Sequence, residues 1–235
     1  MRDISNISSR RAYEFAQDDI RLTLLSSQPV VAFIRQTFQF EGAVVASPME
    51  TFGPVPATIP PGLVFNYGIV PEPKESGTAI RLLHIEQRRV VIDLAGPSTA
   101  IEPTFAHLRT ILEELRTQEG FPAIAEPISV QDHSEIRATL DLDPSQLAPP
   151  TLLESATNLL ARKASSQTII PVITLRMLDN NESEYPGGGV PLTHTYTLDI
   201  RAGTSIGDGV YYSSAPVDSQ RHIAFLEEIE STLSQ

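Results

Sequence analysis

Residues 203–207 read GTSIG, a G-x-S-x-G spacing centred on Ser205. Glycines flanking a serine permit a sharp turn that holds the hydroxyl out as a nucleophile. The chemistry also needs a parallel strand entering the turn, a helix leaving it, and backbone N–H groups aimed at an oxyanion. LTHTYTLDIRA (192–202) can be the strand. DGVYYSSAPV (208–217) cannot be the helix, because Gly209 and Pro216 interrupt it and Tyr211 and Tyr212 favour an extended chain. An acid and a histidine do come later as Asp218 and His222, but a single helix turns both toward one face. GTSIG is therefore expected to be a turn. Ser205 and His222, with His194 and Asp199, are the residues of an alternative reading, a small-molecule-binding domain or hydrolase assembled from scattered side chains.

Other chemistry is thinner. EYPGGGVPL (184–192) has the glycines of a phosphate loop, but no Lys-Ser or Lys-Thr pair and no helix start, and Glu182 and Glu184 repel phosphate. Just before it, Asp179, Asn181 and Ser183 alternate like the opening ligands of a calcium loop. Glu184 then stands where the sharp turn needs Gly, and Val190 where a bidentate Glu belongs. His84, His107, His133, His194 and His222 show no metal-binding spacing. Asp141 and Asp143 alternate with Leu140 and Leu142, which describes the wet side of a half-buried strand. Asp93 and Asp199 stand inside apolar strand ends, where a buried carboxylate would be a perturbed group. No metal and no cofactor is expected.

Composition narrows the partners. Against 17 basic residues stand 29 acidic ones, a net charge of -12, and the basic residues cluster no further than pairs such as Arg10-Arg11. Such a surface repels a phosphate backbone, so nucleic acid is not an expected partner. The chain has no Cys, which removes disulfides and thiolate metal sites. Its start, MRDISNISSRRAYEF, has charges where a secretory leader needs an apolar core, and the longest apolar run is VVAFI (30–34). The expectation is a cytoplasmic protein without a membrane partner.

The elements that would position these residues can be read from periodicity. Tyr13, Ala16, Ile20 and Leu24 share a stripe and predict a helix from about Ser9 to Leu25, with Ser8 or Ser9 as its cap. A second helix is expected from near Pro103 to Gly120, a third after Pro149-Pro150, and a fourth from about Asp218 to Leu233. AIRLLHIEQRRVVIDLA (79–95) reads as a hairpin around Glu86 to Arg88. QTIIPVITLRML and LTHTYTLDIRA form a second pair around a long loop, while VVAFIRQTFQFEG and EIRATLDLD give one strand each. Short connections imply antiparallel pairing. The predicted fold is α+β, with antiparallel sheet covered by amphipathic helices on one face. Each half, 1–122 and 123–235, ends in a hairpin and a helix. Short echoes, VVIDLAG with YTLDIRAG and ILEEL with FLEEI, hint at duplication.

Residues 47–73 hold seven prolines interleaved with Phe52, Ile59, Val64, Phe65 and Tyr67. A long loop stiffened by proline and carrying apolar side chains loses little entropy on docking. With no complete catalytic constellation, the favoured expectation is a non-catalytic protein that binds a protein partner or a second copy of itself through this loop and its sheet edges.

Overall fold

The structure, a computed structural model, describes residues 3–16, 20, 27–46, 62–70, 78–118, 124–142, 150–161, 173–178, 193–201 and 203–233. In chain order these form β1 (Asp3–Glu14), α1 (Gln28–Thr37), β2 (Gly42–Ala46), β3 (Gly62–Ile69), β4 (Ala79–Ile85), β5 (Arg89–Ala95), α2 (Ile101–Gln118) and β6 (Ser129–Thr139). They continue with α3 (Pro150–Ala161), β7 (Ile173–Leu178), β8 (Thr193–Ile200), β9 (Val210–Ala215) and α4 (Ser219–Leu233). The protein is α+β with antiparallel pairing, as the short connections require. Two compact units divide the chain. The first is Ser8–Asp132; the second is His133–Gln235 together with Met1–Ile7.

In the first unit the strands lie in the order β2-β3-β4-β5-β1. Alternate residues of these strands (Leu63, Phe65, Leu83, Ile85, Val90, Ile92, Leu94 and Tyr13) form one core with Ile34 and Phe38 of the α1 region and with Ile101, Phe105 and Leu108 of α2. Both helices thus cover one face. The opposite face carries Asp93, which is buried and receives Arg10 (2.8 Å) and Arg81 (2.7 Å). Two guanidinium groups supply what a buried carboxylate needs.

Two sequence expectations exchange places here. The expected helix does not begin at Ser9: Asp3–Glu14 is a strand, and Ser9 is a buried strand residue rather than a cap, while residues 17–19 and 21–25 lie outside the described residues. Its alternation is hidden in the sequence because the inward residues are largely polar. Arg11 reaches Asp132 (2.7 Å) and Glu102 (3.1 Å), and Tyr13 stacks on Phe105 at 3.7 Å. Conversely, VVAFIRQT is helical where β-branched residues suggest a strand. Pro29 sits in its first turn, and Val31, Ile34 and Phe38 recur at helical spacing.

The second unit orders its strands β6-β9-β8-β7, with Ile136, Ala138, Leu140, Leu198, Tyr211 and Leu226 in its core. Ile7, from the start of β1, packs against the same cluster. Connectivity matches that of the first unit. A meander of three strands (β3-β4-β5, or β7-β8-β9) takes the opening strand (β1 or β6) beside its last member and then ends in a helix.

The match extends to register. β1 pairs with β5 from Ser9↔Leu94 to Glu14↔Arg89, and β6 with β9 from Ser134↔Ala215 to Thr139↔Val210. Ser9 Oγ donates to the Gly96 carbonyl and Ser134 Oγ to the Val217 carbonyl, each at 2.8 Å and each two residues past the strand partner. Continuing from those anchors, Ser98 matches Ser219, Ile101 matches His222, and Phe105 matches Leu226, all buried. The sequence echoes do not follow this register. VVIDLAG and YTLDIRAG lie in β5 and β8, which are not counterparts, and ILEEL and FLEEI are displaced by two helical turns.

Candidate functional site

Ser205 and His222 are not brought together. Ser205 is exposed, with its N–H on Asp208 Oδ2 (3.0 Å) and its carbonyl accepting the Asp208 N–H (3.0 Å). Gly203 opens this turn at φ 82° and Gly209 closes it at φ 61°, left-handed conformations that account for both glycines. The turn leads into β9, antiparallel to β8, so the strand-to-helix scaffold of a serine elbow is not formed.

His222 is fully buried and both its ring nitrogens are engaged. Nδ1 lies 2.8 Å from Ser134 Oγ and Nε2 lies 2.8 Å from Ser213 Oγ, while the Tyr196 ring meets the imidazole edge-on. Ser213 Oγ also donates to the Thr197 carbonyl (2.8 Å) and touches the Tyr196 hydroxyl (3.1 Å). Burial, and secondarily the positive charge of His133, lowers the His222 pKa from 6.5 to about 4. Burial likewise raises Tyr196 to about 12. At neutral pH the cluster is uncharged and internally consumed. A place for His222 in a site with Ser205 is therefore corrected: it is a core histidine. Asp218 caps α4 through the N–H groups of Gln220 and Arg221 (3.0 Å each). His194 pairs with Met177, and Asp199 is half-buried opposite Tyr212. Among the described residues no cluster of three metal-ligating side chains occurs.

The proline-rich loop needs a different correction. Gly62–Ile69 is strand, paired on both sides by β2 and β4. Phe65 belongs to the core of the first unit and Val64 is buried on the other side of the strand, so neither side chain is offered to a partner. Their alternation with Leu63 is legible as a strand, but the surrounding prolines obscure it. Phe52 and Ile59 lie outside the described residues, as do the 179–192 loop and Pro171. Tyr67 does face outward, at 66% exposure, with an unusual φ of 55°, and Ile69 beside it is 52% exposed.

The backbone of these two residues holds the turn between α1 and β2, beside which lies a surface that sequence reasoning missed. Helix α1 ends in a left-handed residue, Gln39 (φ 52°), closed by the Phe40 N–H on the Arg35 carbonyl at 2.9 Å. The turn is held on β3 by Glu41 N–H to Tyr67 O (3.1 Å) and Ile69 N–H to Phe38 O (2.8 Å). Phe40 lies directly over Gly68, where an added Cβ would come within 2.5 Å of its ring. Arg35 donates to the carbonyls of Phe40 (3.0 Å) and Glu41 (2.9 Å). The result is an open groove of about 670 Å³ between α1 and β2, lined by Val31, Arg35, Gln36, Gln39, Phe40 and Ala43. β2 is the terminal strand of its order, and among the described residues no strand lies beyond it.

No protein-family model matches the chain, and no curated protein matches it significantly. Among the described residues no helix is long and apolar enough to cross a membrane.

Proposed function

We propose that the protein works by binding rather than by catalysis, taking an extended segment of a partner protein, or of a second copy, along β2 and into the groove beside α1. The observation that carries this reading is the coincidence of a terminal strand with a groove along its flank. An edge strand offers unpaired N–H and C=O groups to a guest strand, and a flanking groove receives alternate side chains of that guest. Val31 and Ala43, each partly exposed, provide apolar surface, and the amides of Gln36 and Gln39 provide polar contacts. Consumption of His222 within the core, away from Ser205, weighs against the hydrolase alternative.

A display library of random peptides selected on the immobilised protein tests this. Enriched peptides should slow hydrogen exchange at the Gly42–Ala46 amides, and Ala43→Arg should weaken them at least about tenfold, on the order of 1.4 kcal/mol. A library without binders to the wild type, or binders indifferent to Ala43→Arg, would overturn the proposal. Sedimentation of the wild type and the same variant shows whether the guest is another copy.

A further inference from the structure

We propose that His222 is an acid-sensitive latch, which holds α4 on the sheet of the second unit while neutral and releases it on protonation. The first ground is the internal match between the units. Ser134, Ser213 and His222 occupy the places held in the first unit by Ser9, Ile92 and Ile101. There, Ile92 and Ile101 close the same junction with apolar side chains, each fully buried. The architecture does not itself demand an imidazole at this point.

The second ground is the hydrogen inventory. Five contacts join the set: His222 to Ser134 and to Ser213, Ser134 to the Val217 carbonyl, and Ser213 to the Thr197 carbonyl and to the Tyr196 hydroxyl. A neutral imidazole and three hydroxyls supply one hydrogen fewer than these contacts use. A protonated ring would complete them, since each serine could then accept from the ring and donate to its carbonyl. Hydrogen bonding therefore invites the proton.

Its charge is what the site does not accommodate. Leu226, Leu198 and Ile136 belong to the core around the ring, and no carboxylate is among its contacts in the described residues. The ring also stands in the first turn of α4, at the positive end of the helix dipole. The titratable and charged groups on the elements packed around it are Asp132, His133, Glu135 and Arg137 on β6, His194, Tyr196 and Asp199 on β8, Tyr211 and Tyr212 on β9, and Asp218, Arg221, Glu227, Glu228 and Glu230 at the start of and along α4. His133, 3.8 Å from Glu135, opposes a positive charge on His222. Asp218 is committed to the α4 amides. A buried cation without a counter-ion is relieved when its helix leaves the sheet. Releasing α4 would bare Leu226 and the strand residues beneath it, creating an apolar surface that exists only in acid.

Hydrogen exchange on the full chain, corrected for intrinsic rates, is the test. Between pH 7 and 4.5, protection of α4 amides should fall by a factor approaching about ten per pH unit below the ordinary histidine pKa, with β4 and β5 of the first unit unchanged. In His222→Gln, which hydrogen-bonds without titrating, α4 protection should be flat over that range. The double variant His222→Ile with Ser213→Ile, which installs the first unit's residues, should be flat as well. Constant α4 protection in the wild type would overturn the latch, and so would an acid loss that persists in either variant.

Discussion

At the scale of single residues, His222 makes the stability of the second unit depend on pH, and the sign follows from its depressed pKa. The unfolded chain takes up the proton near 6.5, the folded one only near 4. As pH falls through that interval the unfolded state binds more protons, so stability is complete above about 6.5 and is lost progressively toward 4. The full loss is about 3 kcal/mol, readable as a falling urea midpoint for the second unit between pH 7 and pH 4 and absent in His222→Gln. None of this is legible in the sequence. Spacing along the chain connects His222 with Ser205, whereas Ser134 lies 88 positions away and is placed against it only by strand pairing. Asp93 is more legible: a carboxylate inside VVIDLA needs a partner, and two arginines supply it.

Elements are legible in proportion to how their burial is achieved. α2, α3 and α4 and the β4-β5 hairpin follow from apolar periodicity and turn residues, and they lie close to where those signals put them. β1 escapes that approach because ion pairs and hydroxyls, rather than apolar side chains, settle its inward positions. α1 escapes it because β-branched residues carry a strand preference that tertiary packing overrides. The α1-to-β3 junction yields a further prediction. Gly68→Ala drives a methyl group into the Phe40 ring and should cost about 1–3 kcal/mol in denaturant titrations. Gly42→Ala meets nothing within 4 Å and should cost far less. Equal effects of the two substitutions would mean that Phe40 does not sit where the groove requires it.

For the molecule as a whole, the repeated connectivity of the two units matters more than the short echoes in their sequences. Strand order, the buried serine and the closing helix recur in both units although most matched positions carry different side chains, because those features satisfy backbone hydrogen bonds and burial whatever the side chains. The second unit is also discontinuous, since it includes Met1–Ile7. Removing residues 3–7 should therefore destabilise the second unit, by about 2 kcal/mol through the lost packing of Ile7, and leave exchange protection in the first unit unchanged. Loss confined to the first unit would contradict the division.

That discontinuity also sets an order of events during translation. A ribosome delivers the opening segment of β1 before any of β4 or β5, yet the body it belongs to emerges only after Asp132 has been made. The first unit can close while that earlier-made piece of its neighbour still lacks its partners. A chaperone or protease acting on this chain during synthesis would find that piece unmatched until residues beyond Asp132 have emerged.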